Sequence, residues 1–173
     1  KTESNSPAWT VGVKLGRYRR TKRYCVLDAR REQVSPAKVE ELILRTAQHD
    51  GRAVAIALRQ DPGQAGKAQV ATYAKLLAGF TVHSSQESGD KATRFSPFSA
   101  QCEHGNVDVV RFAKYDAYCT SLESFPDGKV KDDADASSTA FERLCGFAGL
   151  IQVEAGSEVD EPLATGTGDG SPW

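Results

Sequence analysis

Aspartates at two places in the chain could bind a divalent cation. Asp61 comes shortly after the apolar run 53–58 and directly before a Pro-Gly turn. Ligands of open α/β sheets collect at the carboxyl ends of strands, so this carboxylate is well placed for a site. An aspartate before proline is also a common turn residue, and position alone favours neither interpretation.

The second group of acids is Asp132, Asp133 and Asp135, at the start of a predicted helix. Helix capping and the helix dipole account for one or two such acids, but less well for a third. Asp132 and Asp135 are three residues apart and would share one helix face. If this face lay near Asp61, its oxygens would attract a hard divalent cation. Spacing alone leaves capping and metal binding open.

Positive charge is concentrated in one short segment. The net charge of the chain is only −1, but five cations fall in a predicted hairpin loop: Arg17, Arg19, Arg20, Lys22 and Arg23. A neutral total can therefore hide a basic, DNA-facing surface beside an acidic cleft. The alternative for these residues is an ordinary solvated loop.

Composition narrows the class of protein. A length of 173 residues with 39% hydrophobic residues is typical of one soluble domain. No apolar run approaches the roughly 18 residues of a membrane helix, and no signal peptide opens the chain, which predicts a soluble, cytoplasmic protein. The four cysteines form no CxxC pair, which favours reduced thiols over a zinc site.

Apolar periodicity predicts an opening hairpin and then alternating helices and strands. The run 53–58 is continuous, which predicts a central strand buried on both faces. The pattern indicates an α/β fold with a mixed sheet, and residues after 150 are expected to form a flexible, acidic, Gly-rich tail. The predicted strands cover 9–15, 24–29, 53–58, 80–83 and 107–110, and the predicted helices cover 36–50, 66–78, 93–103, 115–125 and 132–145.

Four stretches resemble one family when they are taken in order. They are 89–94 with Pro97, Ala100, Glu103 and 105–107; 121–129 leading into 132–136; 60–63 with Gly66 and Lys67; and 24–31 with Ser35 and Pro36. This pattern, over roughly residues 8–147, resembles the C-terminal nuclease domain of the terminase large subunit of tailed bacteriophages. The resemblance implies a ribonuclease H-like fold over residues 1–150, with a mixed central sheet flanked by helices.

The resemblance also implies a two-metal site for Mg²⁺ or Mn²⁺, with ions about 3.5–4 Å apart. In that interpretation Asp61 is the second acidic ligand and Asp132 the third, with Asp133 and Asp135 as alternatives. Lys91 and Arg94 would contact DNA phosphates near the site. Arg17, Arg19 and Arg20 would lie along the DNA path.

Two departures from the family pattern affect the site. The first family acid lies on a strand a few residues before the equivalent of Lys1, so we expect that strand upstream of residue 1. Many relatives carry His-Asp where this chain has Val130-Lys131. The second departure leaves the choice among the three neighbouring aspartates open.

The function implied by the resemblance is metal-dependent cutting of concatemeric double-stranded DNA during viral genome packaging, in the host cytoplasm and not in the mature virion. No Walker-type motif occurs in the sequence, so the ATPase motor is expected on a separate N-terminal part. The portal protein and the small terminase subunit are the other expected partners. The alternatives are another ribonuclease H-like nuclease, of the resolvase or integrase type, and a catalytically silent DNA-binding module.

Overall fold

The computed structural model describes residues 9–60, 63–86 and 89–154, with side chains described as far as residue 146. All ten predicted helices and strands are present; the last helix extends nine residues beyond its predicted end, and the other ends shift by at most three residues. The strands are β1 (Thr10–Arg17), β2 (Tyr24–Glu32), β3 (Ile56–Gln60), β4 (Val82–Gln86) and β5 (Val107–Val109). The helices are α1 (Pro36–Asp50), α2 (Gln64–Leu76), α3 (Lys91–Glu103), α4 (Tyr115–Glu123) and α5 (Asp132–Glu154). Helix α5 includes the first residues of the predicted tail, and the rest of that tail lies outside the described residues.

The described strands form two sheets. Strands β1 and β2 are antiparallel, and β2 pairs with β5 in parallel, so the larger sheet is mixed, as predicted. Strands β3 and β4 form a separate parallel pair. The prediction of a doubly buried central strand at 53–58 is wrong in two respects. The strand is Ile56–Gln60, and all its residues are only partly buried, because in the described structure it has a neighbour on one edge only.

The core of the larger sheet is aromatic. Phe98 is fully buried, and its ring packs 5.6 Å from that of Phe141, which lies edge-on to Tyr24 at 4.9 Å. Val26 and Tyr118 complete the buried layer with 1% exposure each. Burying a large apolar side chain stabilises a fold by about 1.5–3 kcal/mol. These few residues therefore fix α3, α4 and α5 against β2.

The smaller sheet has its own core, in which Ala47 of α1 packs with Tyr73 and Leu77 at the end of α2. Helix α5 connects it to the larger sheet. The guanidinium of Arg59 on β3 donates hydrogen bonds to Thr139 Oγ1 at 2.9 Å and to Glu142 Oε2 at 2.5 Å. Both sheets therefore depend on α5 for their relative position.

The buried face of α5 is lined by small polar residues. Ser137 and Ser138 are almost completely buried, and each hydroxyl donates to a carbonyl oxygen four residues earlier at 2.7 Å. Such bonds satisfy the hydroxyls within the helix, and Ser137 Oγ also lies 2.8 Å from the hydroxyl of Tyr118 on α4. Among the apolar residues of this helix, Ala136, Ala140 and Leu144 are only partly buried, whereas Phe141 is buried. Small side chains allow α5 to pack closely on the sheet.

Strands β1 and β3 run in opposite directions along α5. Val11 of β1 pairs with Arg31, which contacts Asp133 at the start of α5, so β1 runs from the start of α5 towards its end. On β3, Ala57 pairs with His83, which contacts Arg143, and the following residues approach Thr139. Strand β3 therefore points back towards the start of α5.

A cleft of about 880 Å³ lies between these two strands. It is lined by the edges of β1 and β3 and by side chains of α1 and α5, including Asp132 and Asp135. Neither facing edge pairs with another strand in the described part of the chain. The two sheets are thus separated by a cleft whose walls are antiparallel strand edges.

Candidate metal-binding site

The first turn of α3 brings two cations to the start of α5. Asp90 caps α3 by accepting hydrogen bonds from the backbone N–H of Thr93 at 2.9 Å and from its hydroxyl at 2.8 Å. These bonds, the backbone one most, hold the pKa of the Asp90 carboxyl below its usual value. The cap fixes the start of α3, where Lys91 and Arg94 lie on the side that faces α5.

Lys91 contacts both carboxylates that the sequence places on one helix face. Its Nζ lies 3.0 Å from Asp132 Oδ1 and 3.8 Å from Asp135 Oδ2. The side chains of Lys91 and Asp132 are each 38% exposed, whereas that of Asp135 is 14% exposed. The carboxylates of Asp132 and Asp135 therefore converge on the ammonium group of Lys91.

Arg94 holds the second of these carboxylates from the other side. Its NH2 group donates to Asp135 Oδ1 at 2.7 Å and its Nε to the same oxygen at 3.2 Å, while NH1 donates to the carbonyl of Gly89 at 2.8 Å. The Arg94 side chain is only 10% exposed. Asp135 is therefore held in one orientation, and Asp132 is the freer of the two.

Asp133 points in a different direction, into the core. It is 1% exposed, forms an ion pair with Arg31, and accepts a hydrogen bond from Ser121 Oγ at 2.6 Å. Arg31 also lies over the ring of Trp9, 5.5 Å from the centroid. The structure thus separates Asp133 from Asp132 and Asp135. Sequence reasoning missed its partner Arg31, which no local motif identifies.

Asp61 lies outside the described residues, which end at Gln60 before the gap and resume at Gly63. Strand β3 points towards the start of α5, the end that carries Asp132 and Asp135. In the described residues, no group of three or more His, Cys, Asp or Glu side chains is arranged to hold a metal ion. The four cysteines are free thiols, and Cys25 alone among them is buried.

The basic hairpin lies at the opposite end of the sheet. Arg17 pairs with Tyr24, whose hydroxyl is 3.5 Å from the sulfur of Cys145. Cys145 is 13 residues after Asp132, which corresponds to roughly 20 Å along a helix with a rise of about 1.5 Å per residue. The hairpin cations therefore lie too far from Asp132 and Asp135 to belong to the same site. If they contact DNA, they do so at a distance from these carboxylates.

Two of the hairpin arginines brace the loop. Arg17 donates from Nε to the carbonyl of Lys22 at 3.0 Å and lies over the Tyr24 ring. Arg23 Nε donates to Asp108 at 3.1 Å, and this guanidinium holds the pKa of the Asp108 carboxyl below its usual value. Three cations of the hairpin have no side-chain partner among the described residues: Arg19, Arg20 and Lys22. They lie beside Tyr18, which is 47% exposed.

A second pair of residues in the cleft was not expected from the sequence. Arg143 NH2 lies 2.8 Å from Nε2 of His83, and the Nε of Arg143 is buried without a hydrogen-bond partner in the described structure. Burial, and secondly the nearby Arg143 charge, lower the pKa of His83. A buried donor without an acceptor is costly, and both Arg143 and His83 belong to the lining of the cleft.

Fold and site together define a class. The chain is a mixed α/β domain in which two carboxylates converge at the start of α5 and β3 points towards them. A family profile described as the terminase RNaseH-like domain matches residues 2–144. The chain belongs to this family, as the resemblance predicted. No curated protein and no solved structure matches it. Among the described residues, no helix has both the length and the apolar composition needed to span a membrane.

Proposed function

We propose that this terminase nuclease domain is a divalent-metal-dependent endonuclease that cuts double-stranded DNA. The observation that carries the proposal is the convergence of Asp132 and Asp135 on one ammonium group, that of Lys91. Two carboxylates that converge on one ammonium group could also supply part of the ligand set of a divalent cation. Family membership supports nuclease chemistry, and the metal dependence is our inference from the donor set.

The residues present fit Mg²⁺ or Mn²⁺. Both ions prefer oxygen ligands, and Asp132 offers a partly exposed carboxylate that lines the cleft. When bound, such ions activate a water molecule and neutralise charge at the scissile phosphate. Arg94 fixes the Asp135 carboxylate, so that side chain loses little freedom on binding. We propose Asp61, which directly follows β3 in the sequence, as a further carboxylate of this site.

The cleft between β1 and β3 supports the expectation of a further strand from upstream of residue 1. A strand antiparallel to β1 would be parallel to β3, because these two run in opposite directions. Its carboxyl end would then lie at the same end of the sheet as Asp132. We propose that it carries the first acid of the site.

We propose that DNA lies across the sheet from the carboxylates to the hairpin. Lys91 and Arg94 are the cations beside the carboxylates. The exposed cations of the hairpin would contact phosphates about 20 Å away, a distance corresponding to roughly six base pairs at 3.4 Å each. Arg17 then acts indirectly, because its guanidinium is engaged within the hairpin.

A triple substitution of Arg19, Arg20 and Lys22 to alanine tests the hairpin. We expect weaker duplex binding and a log–log salt slope that is shallower by up to about 2.7, since each phosphate contact contributes about 0.9. Fluorescence anisotropy of a labelled duplex between low and moderate salt measures the slope. The matched control replaces the exposed cations Lys38, Arg52 and Lys75. Equal slopes for the two triple variants would remove the hairpin from the DNA path.

The wider biological role follows from the family. We propose that the domain cuts concatemeric DNA during genome packaging in the host cytoplasm. The proposed partners are an ATPase motor on the same polypeptide, the portal protein and the small terminase subunit. A nuclease of the resolvase type would differ in substrate, because it would prefer branched over linear duplex DNA.

Cleavage of supercoiled plasmid tests the proposal directly. The protein, including any segment upstream of Lys1, is incubated with Mn²⁺, Mg²⁺ or EDTA. We expect nicked and linear DNA in the metal samples and none in EDTA. A folded sample that binds DNA but cuts it in neither metal would support a catalytically silent binding module instead. Faster cutting of a four-way junction than of linear duplex would favour a resolvase.

A further inference from the structure

We propose that Lys91 is an exchangeable counter-ion, which leaves Asp132 and Asp135 when a divalent metal binds and then contacts the DNA phosphate. The proposal rests on the proposed metal site and adds a coupling between metal and DNA binding. Its basis is a difference between the two cations of α3. Both contact Asp135, and Lys91 also contacts Asp132, but the two side chains are held by very different numbers of hydrogen bonds.

Arg94 is fixed, whereas Lys91 can move. The Arg94 guanidinium makes three donor contacts to Asp135 and to the Gly89 carbonyl and is 10% exposed. Lys91 makes one hydrogen bond, to Asp132 at 3.0 Å, and is 38% exposed. A lysine ammonium is a compact charge on a flexible four-carbon stem. It can leave the carboxylates without breaking other contacts in the described structure.

Charge balance gives the direction of the exchange. Among the described residues, two cations, Lys91 and Arg94, face the carboxylates of Asp132 and Asp135. A divalent ion bound to the same oxygens would add two positive charges beside them, so the like charge of the Lys91 ammonium would be repelled. The scissile phosphate brings negative charge to the same place. Lys91 would therefore exchange a carboxylate for a phosphate at little cost.

The first test measures Mn²⁺ binding without DNA, from the electron paramagnetic resonance signal of free Mn²⁺. Lys91→Gln removes the competing ammonium and keeps a side chain of similar length. Because a partly exposed ion pair contributes a few tenths to about 1 kcal/mol, we expect Mn²⁺ to bind about two- to fivefold more tightly. Lys75→Gln, an exposed substitution on α2, is the control and should match wild type.

The second test measures the salt slope of duplex binding with and without Ca²⁺, before any product forms. If Lys91 contacts phosphate only after metal binding, Lys91→Gln lowers the slope by about 1 in Ca²⁺ and leaves it unchanged without metal. A slope lowered equally in both conditions would show a permanent phosphate contact and overturn the exchange. Unchanged slopes in both would show that Lys91 never reaches the phosphate.

The outcomes separate this inference from the proposed function. Mn²⁺ binding that is equal in wild type and Lys91→Gln overturns the counter-ion role, while metal-dependent plasmid cleavage by wild type still supports the nuclease. Failure of wild type to bind Mn²⁺ at all overturns both. A Lys91→Arg variant provides a further check. It keeps the charge, so its Mn²⁺ affinity should remain near that of wild type.

Discussion

Asp132→Asn is expected to reduce metal-dependent plasmid cleavage by at least about a hundredfold, since loss even of groups that only orient metal ligands costs 10–100-fold. The substitution keeps size and hydrogen-bonding capacity but removes the charge that would bind the cation. Because the Asp132 side chain is 38% exposed and, within the part of the chain that the structure describes, is paired with Lys91 alone, the free energy of unfolding should change by less than about 1 kcal/mol. Initial rates of nicking in Mn²⁺, with thermal unfolding measured in parallel, test both parts.

The same loss is expected for Asp61→Ala, with the fold intact. Asp127→Asn is the matched control, because Asp127 is exposed and outside the proposed site. Cleavage by Asp132→Asn at the rate of the control would exclude Asp132 as a ligand. In that case Asp135→Asn becomes the decisive variant, since Asp135 shares the contact with Lys91.

The second large effect is on stability. Asp133→Ala is expected to lower the free energy of unfolding by about 3–5 kcal/mol, because removing one partner of a buried ion pair leaves the other charge uncompensated. The uncompensated group is Arg31, whose side chain is 13% exposed, and Ser121 also loses its acceptor. Urea unfolding followed by circular dichroism measures the change, with Asp127→Ala as the exposed control.

A double variant separates charge from packing at this position. Replacing a buried ion pair with apolar residues of similar volume is often neutral or stabilising. Arg31→Met combined with Asp133→Leu should therefore be more stable than Asp133→Ala alone. A loss below about 1 kcal/mol for Asp133→Ala would contradict the ion-pair account, because exposed substitutions have effects of that size. Asp133 would then remain a candidate ligand.

Local patterns predicted much of the fold. Ser35 and Pro36 mark the start of α1, and Gly51, at a positive φ of 81°, ends it where predicted. Alternating apolar residues predicted the β1–β2 hairpin, and the acids at 132–135 predicted the start of α5. These features depend on neighbouring residues in the chain, so the sequence contains the information needed to predict them. The family motifs added the nuclease assignment, which the profile match confirms.

The prediction of 53–58 as a central strand was wrong because burial of a strand depends on its neighbours in the sheet. The apolar run is real, but β3 pairs only with β4 in the described structure, and its other edge faces the cleft. The sequence also does not show how far the basic hairpin lies from the acids at 132–135, although both groups could take part in DNA cleavage. Only the direction of β1 along α5 shows that they lie at opposite ends.

The sequence by itself determined which residues are acidic and that Asp132 and Asp135 share a helix face, and it left Asp133 as an alternative ligand. It could not determine which face is buried, because that depends on elements distant in the chain. Lys91 and Arg94 lie 41 residues before their partners, and Arg31 lies 102 residues before Asp133. Tertiary packing brings these charges together, since a carboxylate in the core needs a paired cation and one at the surface does not. That difference separates the structural aspartate from the two that face the cleft.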